Sequence, residues 1–122
     1  MLNKRVLGGV LESRACEFLA QNGAKIIERN YRCKSGEIDI IARDGKYLCF
    51  IEVKYRSGDR FGSGEDAVGI NKQRKICKVS EFYLYSKYKS IDLPVRYDVV
   101  AISQTDSIYT FDWIKNAFEY IY

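Results

Sequence analysis

Gly36-Glu37-Ile38-Asp39-Ile40-Ile41-Ala42-Arg43-Asp44-Gly45, continued by Lys46 through Arg56 with Phe50-Ile51-Glu52-Val53-Lys54 inside it, is the stretch that decides the fold. Two alternating runs rich in β-branched and aromatic residues are joined here by Asp-Gly. That combination predicts a hairpin closed by a type I′ turn, whose two central residues both need positive φ. With Asp44 and Gly45 as those residues, Arg43 faces Lys46, Ile41 faces Leu48, Asp39 faces Phe50 and Glu37 faces Glu52. Side chains alternate along a strand and opposed residues share a face. Glu37, Asp39, Glu52 and Lys54 are therefore expected on one side near the open end, with Ile38, Ile40, Ala42, Cys49, Ile51, Val53 and Tyr55 on the other side as core.

Like charges opposed across strands are destabilising, so Glu37 against Glu52 with Asp39 on the diagonal calls for a compensating charge. A divalent cation held by oxygen ligands would supply it, and Lys54 would supply part of it. The alternative is a wet hairpin face whose carboxylates splay into water. Ile41, Leu48 and Phe50 on the same face argue against that, because the face must be at least half covered.

These residues also carry a resemblance. Asp39 followed by Glu52-Val53-Lys54 resembles the Asp…(Asp/Glu)-x-Lys signature of the PD-(D/E)XK nuclease-like superfamily, with its restriction-endonuclease-like fold. The longer strings Gly36-Glu37-Ile38-Asp39-Ile40-Ile41 and Phe50-Ile51-Glu52-Val53-Lys54-Tyr55-Arg56 resemble the small bacterial YraN-type family, itself similar to archaeal Holliday junction resolvases. Ile38 stands where the superfamily's name has proline. The resemblance implies a Mg²⁺- or Mn²⁺-dependent endonuclease acting on structured DNA, branched or single-stranded, with subunits paired to cut two strands. It implies Asp39, Glu52 and the backbone carbonyl of Val53 as metal ligands, and Lys54 as the group that orients or deprotonates the attacking water. It places Glu12, in Glu12-x-x-Ala15, and Gln73, in Lys72-Gln73, at the active centre, with Glu12 and Glu37 as outer or second-metal ligands. Leu11 precedes Glu12 where that family usually has glycine. A module that keeps this fold and binds nucleic acid without cutting it is the competing reading.

Length and composition set the outer bounds. With 122 residues and one proline the chain is expected to be a single domain, 1–122, burying roughly two-thirds of its unfolded surface. Hydrophobic content of 47% with 30% charged residues fits a globular protein, and Glu12 interrupts the N-terminal apolar run too early for a signal peptide or a membrane span. A cytoplasmic protein without a membrane partner is the expectation. There is no histidine, which removes histidine general-base and Ser-His-Asp chemistry. Four cysteines, Cys16, Cys33, Cys49 and Cys77, are compatible in number with a zinc site, but Cys16 and Cys49 fall at apolar positions and read better as small core residues. The net charge of +4 permits a polyanionic partner, and its distribution says more. Residues 72–89 hold Lys72, Arg74, Lys75, Lys78, Lys87 and Lys89 against Glu81 alone.

Along the chain, residues 4–22 have helical spacing of Leu7, Leu11, Ala15, Phe18 and Leu19, stopped by Gly23. Glu12 lies at the edge of that stripe, either as an ordinary flank residue or as an acid leaning over the sheet. Residues 24–32 predict a first strand. Arg32, Lys34 and Arg56, with Lys72, Arg74, Lys75 and Lys78, are the candidate phosphate contacts, against the plainer reading of solvated charges. Residues 57–66, rich in glycine, predict a loop beside the site. Asn71 is the expected N-cap of a helix over 72–87 whose inward residues are Ile76, Val79, Ser80, Tyr83 and Leu84, with Gln73 on the same side. Residues 95–102 predict a buried strand reached by a helical crossover, with Arg96 and Asp98 paired on one face; 107–111 a last short strand; and 113–118 a terminal turn or short helix. Ala117, Phe118, Tyr120, Ile121 and Tyr122 are expected to form an exposed apolar end available to a second subunit. The order α-β-β-β-α-β-β suits an α/β fold, a mixed central sheet of five strands flanked by helices.

Overall fold

The computed structural model describes residues 3–56 and 68–121, so the expected loop over 57–66 lies outside the described residues. Helix α1 (Lys4–Gln21) is followed by strands β1 (Lys25–Cys33), β2 (Gly36–Asp44) and β3 (Tyr47–Tyr55), helix α2 (Ile70–Tyr88), and strands β4 (Val95–Thr105) and β5 (Ile108–Phe118). The described strands form one sheet in chain order, β1-β2-β3-β4-β5. Neighbours run antiparallel except β3 and β4, which are parallel because α2 lies between them in the chain. The α/β order expected from the sequence is the order observed.

Among the described residues each face of the sheet carries one helix. Leu11, Ala15 and Leu19 of α1 pack on Ile40, Ala42, Cys49, Ile51, Val100 and Ile102. On the opposite face Ile76, Val79, Tyr83 and Leu84 of α2 pack on Ile41, Leu48, Phe50, Tyr97, Val99 and Phe118. A strand covered on both sides reads as a continuous apolar run, which is why Val99-Val100-Ala101-Ile102 shows no alternation. The α2 layer is aromatic: the Phe50 ring lies 5.8 Å from Tyr83 and 5.8 Å from Tyr97, and Tyr97 stacks on Phe118 at 5.2 Å. No helix among the described residues is long and apolar enough to cross a membrane.

Three details differ from the sequence expectation. The first is the hairpin turn, where Asp44 pairs with Tyr47, so the central residues are Gly45 and Lys46. Only Gly45 has positive φ, at 60°, the pattern of a type II′ turn with glycine first. Arg43 therefore faces Leu48 and Ile41 faces Phe50. The pairing moves by an even number of residues in total, so each residue keeps its expected face along the paired part, and Asp44 leaves the turn to accept from Arg96 at 2.8 Å.

The second difference is at the C-terminal end, where β5 runs through to Phe118 with no helix. The helical spacing of Ile114, Ala117 and Phe118 comes from a bulge: the register with β4 shifts between Tyr97 and Val99, and Asn116 has φ 53°. Ala117 and Phe118 are consequently buried, and Tyr120 and Ile121 pack against the same core, so this end is not the exposed apolar surface expected; Tyr122 lies outside the described residues.

The third concerns α2, which starts at Ile70 with Gly69 in the N-cap position and no side-chain cap; Asn71 sits inside the first turn. Asn71→Ala should change stability by less than about 0.5 kcal/mol in urea unfolding. A loss of about 1 kcal/mol would instead mark Asn71 as the cap.

Candidate functional site at a fork in the sheet

The ladder between β2 and β3 is regular from Asp44 and Tyr47 to Ile40 and Ile51, and there it ends. Beyond that point Ile38 packs under α2, whereas Ile40 packs under α1. The expectation that Ile38 shares the face of Ile40 and Ala42 therefore fails, because alternation is broken at Asp39. The neighbouring strand breaks in the same place: the Tyr31 ring meets Tyr83 of α2 at 5.0 Å, while Arg29 reaches Ser13 of α1 at 3.1 Å. Asn30 between them has φ 53°, a left-handed conformation that asparagine tolerates better than most residues. β2 thus parts from β3 and a fork opens.

Asp39 sits in that fork and accepts a hydrogen bond through Oδ2 from the backbone N–H of Val53 at 2.8 Å. The carboxylate takes up a strand amide just past the point where strand pairing stops. Glu52 comes beside it, close enough for the Asp39 carboxyl to act on its acid. Burial first, and then the Asp39 carboxyl, push the Glu52 acid up to about 8. Lys72 Nζ stands 3.7 Å from Glu52 Oε2, and Lys54 also favours the charged form of Glu52. An open cleft of about 410 Å³ lies over this group, lined by Glu52, Val53, Lys54, Tyr55, Val68 and Lys72.

Glu12 approaches from the other helix. It pairs with Arg29 at 3.6 Å, and its acid is held above the ordinary carboxylate range by burial and by Asp39. Asp39 is thus close enough in charge to act on both Glu52 and Glu12. Of the two readings of Glu12, the structure has the acid leaning toward the fork. Arg29, Asn30 and Tyr55 are additional members, since the Tyr55 hydroxyl feels both Glu12 and Asp39. Asparagine inside a strand run is the signal that marks Asn30.

Other expected members stand elsewhere. Glu37 does not face Glu52; it pairs with Arg32, its partner across β1 and β2, at 2.9 Å. Gln73 is buried as expected, but its Nε2 donates to the Val68 carbonyl at 2.7 Å, so it fixes how the chain enters α2. Arg56 is paired with Asp112 of β5 at 2.6 Å. Lys34 lies in the turn between β1 and β2, and Arg74, Lys75 and Lys78 are exposed along α2.

The donor set suits a hard cation of the Mg²⁺ kind, which takes one or two carboxylates and completes its shell with water and substrate oxygens. Among the described residues no three acidic, cysteine or histidine side chains group as a metal cage. Two adjacent carboxyls beside a peptide anchored by the Val53 amide are what such an ion needs from the protein.

Without a cation, the raised Glu52 acid makes folding favour its protonated form. The stability linked to this group is present below the ordinary glutamate range and is lost as pH rises through about 8. In EDTA, Glu52→Gln should therefore gain on the native chain by about 1–3 kcal/mol toward pH 9 and by little below pH 5. Urea unfolding at both pH values reads the difference.

Comparison with known proteins gives the chain its relatives. Residues 11–102 match the model of a family described as uncharacterised protein family UPF0102. A UPF0102 protein of Lachnoclostridium phytofermentans is 42% identical over 118 residues, 97% of this chain and 97% of its own. One from Syntrophus aciditrophicus is 45% identical over 115 residues, covering 94% and 90%, and one from Geobacter metallireducens 41% over 121 residues, covering 99% and 98%. With the match spanning most of the chain and the relatives similar from end to end, this protein belongs to the UPF0102 family.

Proposed function

We propose that this protein is a metal-dependent endonuclease of the PD-(D/E)XK nuclease-like kind, hydrolysing phosphodiesters in structured DNA. The observation that carries the reading is the Asp39 and Glu52 carboxyl pair set in a fork of the sheet, with Glu52 lining a cleft whose other charged groups among the described residues, Lys54 and Lys72, are cations. Phosphodiester cleavage is slow because a nucleophile must approach a charged phosphate and the leaving alkoxide is poor. A bound Mg²⁺ or Mn²⁺ would neutralise the non-bridging oxygens and acidify water.

The chain's own residues do the rest. Asp39 is held by the Val53 amide, so its free oxygen keeps a set position next to Glu52. Lys54 projects from the strand two residues beyond Glu52, on the same face, and would orient the attacking water and offset charge developing on the phosphate. Lys72 at the cleft and the exposed Arg74, Lys75 and Lys78 would hold the backbone without reading sequence. Glu12, paired with Arg29, would orient water from the α1 side.

The competing reading is a module that binds nucleic acid without cutting it, supported by the exposed Arg74, Lys75 and Lys78 on α2, which stand apart from the carboxyl pair. Cleavage of labelled junction, flap, single-stranded and duplex DNA with Mg²⁺, Mn²⁺ or EDTA separates the two. Cutting that needs metal supports the nuclease. Junction binding with no cutting under either metal would overturn it in favour of the module.

A further inference from the structure

We infer that the outer face of α2 is a docking strip for an unpaired single-stranded DNA arm, whose bases stack on Phe82 and Tyr85. This rests on the nucleic-acid reading of the cleft and names the kind of substrate that site would take. Helical spacing puts Lys75, Lys78, Phe82 and Tyr85 in one line along the outside of the helix, away from the inward row of Ile76, Val79, Tyr83 and Leu84. Phe82 is 54% exposed and Tyr85 63%, neighbours on the outer side of a helix whose inward row packs on the sheet. Between them and the turn that joins β1 to β2 lies a hollow of about 380 Å³, lined by Ser35, Lys78, Glu81, Phe82 and Tyr85. A second hollow of about 230 Å³ opens on the other side of Lys78, lined by Arg74, Glu81, Tyr120 and Ile121.

The strip is continuous with the cleft, because Lys72 lines the cleft and pairs with Glu52. From Lys72 to Tyr85 is about 20 Å at the rise of an α-helix, a span of a few nucleotides. Cations in register with exposed aromatic rings are the combination that binds unpaired strands: the cations follow the phosphates and the rings take bases whose faces are free. A duplex keeps those faces stacked and offers the rings nothing. A second copy of this chain suits the strip poorly, since a two-fold contact would set Arg74, Lys75 and Lys78 against the same cations of its mate.

The test is fluorescence anisotropy with labelled oligo-dT, a blunt duplex and a forked duplex carrying dT arms, using the native chain, Phe82→Ala/Tyr85→Ala, Phe82→Trp and Lys78→Gln. Both aromatic side chains are exposed, so an unchanged melting temperature is expected for their variants. The alanine pair should lose about tenfold or more on oligo-dT and on the fork while keeping its affinity for the blunt duplex. Phe82→Trp should retain binding, and Lys78→Gln should lower the slope of log affinity on log salt by about 0.7 on the single strand. Equal loss on duplex and single strand, or no loss on either, would overturn the strip, and so would a native dimer that the alanine pair separates. The outcomes are independent of cutting. Metal-dependent cleavage with arm binding unaffected by the alanine pair sinks the strip and leaves the nuclease, whereas arm binding through Phe82 and Tyr85 without cleavage does the reverse.

Discussion

Asp39→Asn should abolish metal-dependent cleavage, lowering the rate by about 10³-fold or more, while leaving the fold intact. The amide oxygen of the asparagine can still accept from the Val53 N–H, so the fork keeps its lock. What disappears is one negative charge beside Glu52, and with it half of the carboxyl pair. With Glu52 holding its proton in the metal-free protein, the asparagine stands beside a neutral acid, so the melting temperature in EDTA should stay close to that of the native chain. Lys54→Ala is the companion: Lys54 is exposed at the cleft and its loss should cost about 10²–10⁴-fold in rate with no loss of stability. Single-turnover cleavage and thermal melting on each variant check both statements, and cutting at the native rate by either would contradict them.

The second large effect is on stability. Arg96→Ala should cost about 3–5 kcal/mol. Asp98 is fully buried and accepts from Arg96 Nε and Nη2 at 2.9 Å, from Trp113 Nε1 at 2.9 Å and from the Asn116 N–H at 2.9 Å. Arg96 also donates to Asp44 at 2.8 Å and lies between the rings of Tyr47, at 5.3 Å, and Trp113, at 5.8 Å. One guanidinium therefore ties the β2–β3 turn to β4 and β5, and holds the bulge at Asn116 through Asp98. Truncating it leaves a buried carboxylate with no counter-charge, the costliest single change this network allows. Arg96→Met combined with Asp98→Leu should cost less than Arg96→Ala alone, because no orphan charge remains. If the double variant is the less stable of the two in urea unfolding, the cost lies in lost packing and not in the uncovered charge.

Hairpin chemistry made β2 and β3 legible, and even a turn placed one residue early kept the faces right, because the shift in register was even. The apolar half of residues 95–102 announced a strand covered on both sides, and the Arg96 and Asp98 pair was visible from their spacing of two. Bulges were the obstacle. At Asn116 a bulge imitates helical spacing in a strand, and at Asn30, opposite Asp39, a left-handed residue within an unbroken register reverses the faces and breaks the alternation on which the expected neighbours of Glu52 depended. The spacing alone set Glu37 opposite Glu52; tertiary structure gives Glu37 to Arg32 and brings Glu12 toward Asp39 instead. Burial of Gln73 followed from its place on the helix, but its partner, the Val68 carbonyl, depends on how the chain enters α2 and no local pattern carries that.

The most direct test of the fork as a cation site is a calorimetric Mn²⁺ titration of the metal-free protein in the absence of DNA, repeated from about pH 6 to about pH 9 in buffers of different ionisation enthalpy. Because burial and Asp39 hold a proton on Glu52, a cation must displace it, so affinity should rise with pH and about one proton should be released per ion near neutral pH. Asp39→Asn should weaken that binding about tenfold or more. Saturable binding with this pH dependence, lost in Asp39→Asn, is the expected result; binding that ignores pH and the substitution, or none at all, would contradict a metal centre at Asp39 and Glu52.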